Sequence, residues 1–74
     1  MTLGQRISHY RKKLHISQEE LGARLGVSRQ AVSKWERGEA DPSTSNLLAL
    51  GRLYGVPAEE LLRAATGEKN PDTP

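Results

Sequence analysis

The stretch Gln18–Glu36, QEELGARLGVSRQAVSKWE, restricts this chain more than any other. Its apolar positions are Leu21 and Leu25, four apart, then Val27, then Val32 and Trp35, three apart. Such spacings put each pair on one face of a short helix, with Val27 in the connecting turn. Gly26 stands where the first helix must stop, a position that favours the left-handed conformation open to glycine. Ser17 is placed to cap the first helix, with Glu20 completing a capping box and Ile16 and Leu21 forming a hydrophobic staple. Ser28 caps the second, but Ala31 stands where the reciprocal acid would be. Gly22 lies where a crossing helix must come close, and a side chain larger than methyl there would hold the two apart. Trp35 is tempting as a stacking platform, yet its spacing from Val32 assigns it to the core.

Two capped helices around a glycine turn make a helix-turn-helix. The outer face of its second helix carries Arg29, Gln30, Ser33, Lys34 and Arg37, and no acid interrupts that set. The charge of the whole chain is only +2, but its distribution is uneven. Met1 to Gly38 holds eight Lys/Arg against three acids, whereas Glu39 to Pro74 holds three against six. A polyanion is therefore expected on the N-terminal half. The chain has no cysteine, so disulfides and thiolate metal sites are excluded, and a reducing cytoplasm suits it. No apolar run approaches the roughly 18 residues that cross a bilayer, and no signal peptide opens the chain. His9 and His15 cannot share a helical face, and no nucleophile has a nearby base. Neither an enzyme nor a metal or cofactor site is expected.

Along the rest of the chain, Thr2 and Gln5 form a capping box before a first helix. Leu3, Ile7, Tyr10 and Leu14 make its apolar stripe, and Arg11, Lys12 and Lys13 load its last turn. His15 occupies a left-handed cap position, where histidine is tolerated better than most residues. Gly38 ends the third helix. Ser43 starts a fourth, whose Leu47, Leu50, Gly51, Leu53 and Tyr54 predict a course through the middle of the core. Gly55 closes it. Pro57 opens a fifth helix, with Glu59 and Glu60 in the first turn, Leu61 and Leu62 on its apolar side, and Gly67 as its stop. The chain thus reads as one small all-α domain over residues 1–66. Residues 67–74, EKNPDTP preceded by Gly67, read as a disordered tail or a linker to a further domain.

Five helices with the helix-turn-helix as the second and third resemble the Cro/phage-repressor-type, or XRE, helix-turn-helix family. The resemblance covers about residues 4–62, and SQEELGARLGVSRQAVSKWERG carries it. Gly22 and His15 depart from the family's usual alanine and glycine. Gly22 costs the helix about 1 kcal/mol relative to alanine. The resemblance implies a compact lambda-repressor-like bundle that binds double-stranded DNA as a homodimer. By position it makes Arg29, Gln30, Ser33 and Lys34 base-reading residues. Gln18, Ser28 and Arg37 become phosphate-binding residues, and Arg11 and Glu36 a partly buried ion pair joining the first helix to the end of the third.

The chemistry of these residues agrees with those roles. The major groove admits one α-helix, and its base edges form a distinct pattern for each pair. Arg29 can bridge O6 and N7 of guanine, and Gln30 can do the same at adenine. Lys34, a turn further on, reaches a guanine or a phosphate. Arg6, Lys12 and Lys13 are weaker phosphate candidates, since the first helix mostly packs. The expected function is a sequence-specific transcriptional regulator, a repressor, on a palindromic operator, dimerising through the fourth-to-fifth helix region by way of Leu61 or Leu62. An antitoxin that binds a toxin protein and represses its own operon is the competing reading. A protein-interaction module is a third, and it would have lost the polar readers or gained acids on the third helix.

Overall fold

In the computed structural model five helices follow one another: α1 (Leu3–Lys13), α2 (Gln18–Leu25), α3 (Arg29–Arg37), α4 (Thr44–Tyr54) and α5 (Ala58–Thr66). The structure describes residues 1–66. The expected tail, 67–74, and the expected stop at Gly67 lie outside the described residues. Four hydroxyls start four of the helices. Thr2, Ser17, Ser28 and Ser43 each accept the backbone N–H three residues on. Thr2 also receives the reciprocal bond, its N–H donating to the Gln5 side chain at 2.8 Å. At α2 the box is half formed, because the Glu20 carboxylate turns to Arg24 one helical turn on, at 2.8 Å. Glycines 26, 38 and 55 end their helices at φ 76°, 78° and 75°, and His15 follows α1 at φ 60°.

Every helix gives the core at least one side chain with no solvent exposure: Ile7, Leu21, Val32, Leu50 and Leu61. Trp35, 5% exposed, joins them, so it is a core residue as its spacing required. Two expectations are corrected. Leu14 is 44% exposed, because α1 ends at Lys13 and Leu14 is its cap, outside the stripe. Leu61 is fully buried, so it cannot serve a second copy, whereas Leu62 is 45% exposed. Helix α1 packs against α3, α4 and α5, and α4 against α1, α2 and α5. Leu50 and Gly51 of α4 are buried and Leu47, Leu53 and Tyr54 pack against the core, while Leu48 is half-exposed.

The backbone is closely approached at Gly4, Gly22 and Gly51, and the first two approaches set how α3 is seated. At Gly4 an added Cβ would collide with the backbone carbonyl oxygen of Trp35 and lie 2.7 Å from that of Glu36. The start of α1 thus rests directly on the end of α3. At Gly22 a Cβ would come within 2.7 Å of the Val27 carbonyl oxygen, so even a methyl group is too large for this turn as it stands. Across the core, the Tyr54 hydroxyl donates to the Ile7 carbonyl at 2.9 Å, and its ring stacks on Tyr10 at 5.2 Å. Burial, helped by the nearby Glu36 charge, pushes the Tyr54 hydroxyl well above the usual phenol range.

Gly4→Ala should therefore lower stability despite alanine's better helix propensity, by about 1–2 kcal/mol net. Thermal melts should show a Tm lower by roughly 5–15 °C; an unchanged Tm would mean that α1 and α3 separate at no cost. Tyr54 has a raised folded value, so its contribution is complete below the unfolded tyrosine pKa of about 10 and is lost as pH climbs above it. Tyr54→Phe should cost about 1 kcal/mol at neutral pH through the lost hydrogen bond. It should also flatten the alkaline limb of a stability-against-pH series.

Candidate nucleic-acid interface

The surface of α3 begins with its cap. Ser28 gives its oxygen to the Ala31 N–H at 3.1 Å, which starts the helix and leaves Arg29 and Gln30 exposed on its first turn. Val32 and Trp35 anchor the opposite side in the core. Arg29, Gln30, Ser33, Lys34 and Arg37 together line one open groove, so all four expected base readers are brought side by side. Ser33 is half-buried and the others exposed.

A second groove runs alongside, between α1 and α3. Its walls are formed by Gln5, Ser8, His9 and Lys12 on one side and by Gln18, Ser33, Glu36 and Arg37 on the other. The structure thereby sorts the three weaker phosphate candidates. Lys12 borders the groove next to Ser33 and Arg37. Arg6 is turned away, its guanidinium 3.5 Å from Glu60 on α5 and over the Tyr10 ring. Lys13 lines neither groove. Ser8 and His9 were not anticipated as neighbours of the reading face. Their register against Ile7 was the available signal, since it turns them away from the buried stripe.

Arg11 and Glu36 form the expected ion pair in two hydrogen bonds, Nε to Oε2 at 2.7 Å and Nη2 to Oε1 at 3.2 Å. Only 12% and 8% of the two side chains is exposed. The remaining Arg11 nitrogen, Nη1, donates to the Ile16 carbonyl at 2.8 Å and fixes the loop before α2. The hydrogen bond to Glu36 raises the Arg11 pKa further above its ordinary value. Glu36 Oε1 also accepts from the Gln18 amide at 3.0 Å. This contact explains how Gln18 is held. An amide nitrogen carries two hydrogens, so Glu36 takes one and the other remains for an external acceptor. The same end of α2 has backbone N–H groups and a favourable dipole for an anion.

Arg37 is less free than its position implied. Nε and Nη2 donate to the two Glu39 carboxylate oxygens, both at 3.0 Å, while Nη1 donates to Ser33 Oγ at 2.8 Å. Accepting from Arg37 leaves the Ser33 hydroxyl its own proton to donate outward. The guanidinium hydrogen bonds and charge, with a smaller effect of Lys34, hold the Glu39 carboxyl below the usual carboxylate range.

The family model described as helix-turn-helix matches residues 7–61, which is most of the chain: α2, α3 and α4 whole, and α1 and α5 in part. The chain belongs to the XRE-type helix-turn-helix family. Repressor protein C2 of Salmonella phage P22 is 43% identical over 68 residues, 92% of this chain but 32% of that protein. The transcriptional regulator DicA of Escherichia coli K12 is 42% identical over 53 residues, 72% of this chain and 39% of that protein. The chain thus spans about a third to two fifths of the length of these two relatives. Among solved structures, P22 c2 repressor in complex with synthetic operator 9T superposes with a TM-score of 0.82 at 44% identity, covering 86% of this chain and 97% of that one. SinR in complex with DNA gives 0.73 at 33%, covering 81% and 97%. No described helix of this family member is long and apolar enough to cross a membrane.

Arg11→Met would strand the Glu36 carboxylate and should destabilise the fold by about 3 kcal/mol. A core of this size rarely supplies more than about 3–5 kcal/mol, so urea melts should find the variant only marginally folded, with about 2 kcal/mol left at most. Arg11→Met with Glu36→Leu should recover most of the loss; recovery failing in the double variant would make Arg11 essential for its packing instead.

Proposed function

We propose that residues 1–66 are the DNA-binding domain of a cytoplasmic transcriptional regulator, a repressor, with no catalytic chemistry of its own. The observation that carries this is the outer side of α3, where Arg29, Gln30 and Lys34 stand exposed on a helix whose other side is locked into the core. That helix enters the major groove. Arg29 and Gln30 read base edges from its first turn, Lys34 reads or anchors one turn on, and Ser33 donates its hydroxyl proton to whichever acceptor faces it. Gln18, Ser28 and Arg37 bind backbone phosphates on either side, Gln18 through the amide hydrogen that Glu36 leaves open. The P22 repressor and SinR, the one solved with a synthetic operator and the other with DNA, support the same use of this fold here.

A domain of this size covers few base pairs, so two copies bind a palindromic operator with recognition helices about 34–36 Å apart. Leu62 on α5 and Leu48 on α4, both half-exposed, lie in the half of the chain away from the basic surface and suit a contact between copies. The repressor and regulator names of the relatives favour this reading over the antitoxin.

Two substitutions separate reading from anchoring. Arg29→Ala should cost about 1–3 kcal/mol on a selected operator and relax the preference at one base pair. Gln18→Ala should weaken cognate and scrambled duplexes alike. Fluorescence anisotropy across a salt series measures both; equal losses on the two duplexes for Arg29→Ala would remove it from the readers, and a salt-independent affinity would point to a protein partner. Sedimentation with a palindromic duplex should show two chains per duplex.

A further inference from the structure

The clamp on Arg37 has a geometry that the DNA-binding reading does not account for. Gly38 ends α3 in the left-handed conformation, and the next N–H, that of Glu39, turns back to the Lys34 carbonyl at 2.9 Å. This backbone bond fixes the Glu39 residue at the end of the recognition helix and stops its carboxylate from trailing into the loop. From there both carboxylate oxygens meet the Arg37 guanidinium in a paired fork. The fork is the same arrangement by which a guanidinium takes a phosphate. The third guanidinium nitrogen is held by Ser33 on the reading face. Arg37 and Glu39 are 56% and 54% exposed, so an incoming phosphate can reach the pair.

We infer that Glu39 is a built-in competitor for the DNA phosphate: it neutralises Arg37 in the free protein and yields it only when a backbone phosphate takes the carboxylate's place. The inference rests on the DNA-binding reading and deepens it. A neutral Arg37–Glu39 pair displaces no condensed counterion from DNA, so it adds nothing to the electrostatic part of affinity. When phosphate replaces Glu39, the fork is exchanged for a similar fork and the freed carboxylate is left close to a polyanion. Both effects lower affinity for every sequence. Glu39 therefore limits how firmly the domain holds DNA in general, while Arg29 and Gln30 at the other end of α3 keep their base contacts.

The test uses the 74-residue chain, a duplex of random sequence and a selected operator, each titrated over a salt series. Glu39→Gln should tighten binding to both duplexes roughly three- to tenfold at low salt and steepen the log–log salt slope by about 0.9. In an Arg37→Gln background the same substitution should change affinity less than about twofold, within what a lone exposed charge contributes. An equal gain in both backgrounds would make Glu39 a general surface charge and overturn the inference, as would no gain at all. Failure of the parent chain to bind any duplex would fall on the DNA-binding reading itself. A binding parent with an unresponsive Glu39→Gln would fall on the competitor alone. Without DNA, carboxyl NMR titration should find Glu39 below the ordinary glutamate range in the parent and back within it in Arg37→Gln; an unmoved value would also overturn the pairing.

Discussion

The Arg11–Glu36 ion pair holds together what the rest of the surface uses. Two charges with little exposure are costly to remove from water, and the cost is met only because every contact is a good hydrogen bond. Arg11 meets Glu36 twice and the Ile16 carbonyl once, while Glu36 also takes the Gln18 amide. One pair thus ties the end of α1, the start of α2 and the end of α3. In the proposed binding mode the entry of α2 and the exit of α3 are two of the points at which a duplex would be gripped. Their separation is set inside the protein before any ligand arrives, so little ordering remains for binding to supply.

The close approach at Gly4 works with that pair. With no side chain between them, α1 and α3 meet backbone to backbone at the Trp35 and Glu36 carbonyls. The residue carrying the carboxylate is therefore also the one against which the first helix rests. Gly22 does the same for α2 and its turn at Val27. Helix α3 is seated by main-chain contacts on two sides, which are less forgiving than side-chain packing because a carbonyl cannot change rotamer.

Much of this was legible in the residue order. The four capping hydroxyls, the glycine stops and the unusual cap at His15 are local, and local signals depend only on near neighbours. The polar side of α3 was equally visible, since periodicity separates it from Val32 and Trp35. What escaped depends on distant partners. Leu14 fits the stripe of α1 by spacing, but the helix ends one residue earlier. Leu61 and Leu62 are neighbours of equal character, and only the packing of α5 against α1 decides which is buried. Gly4 looks like a weak point in a helix until the end of α3 is laid across it. The approach of Glu39 to Arg37 needs the reversal at Gly38, which residue order alone does not show. For Gln18, the family pattern indicated a phosphate contact but not the carboxylate that orients it.

Each of the five helices contributes a wholly enclosed side chain to a single cluster, so none can be withdrawn while the others stay dry. Melting is then an all-or-none event for the outer face of α3 too: α3 packs on α1 and α2, whose buried side chains belong to the same cluster as those of α4 and α5. Heat would disorder that face abruptly, over the narrow interval in which the bundle opens. Thermosensitivity is accordingly written into core positions such as Ile7 and Leu50, neither of which belongs to the exposed face itself.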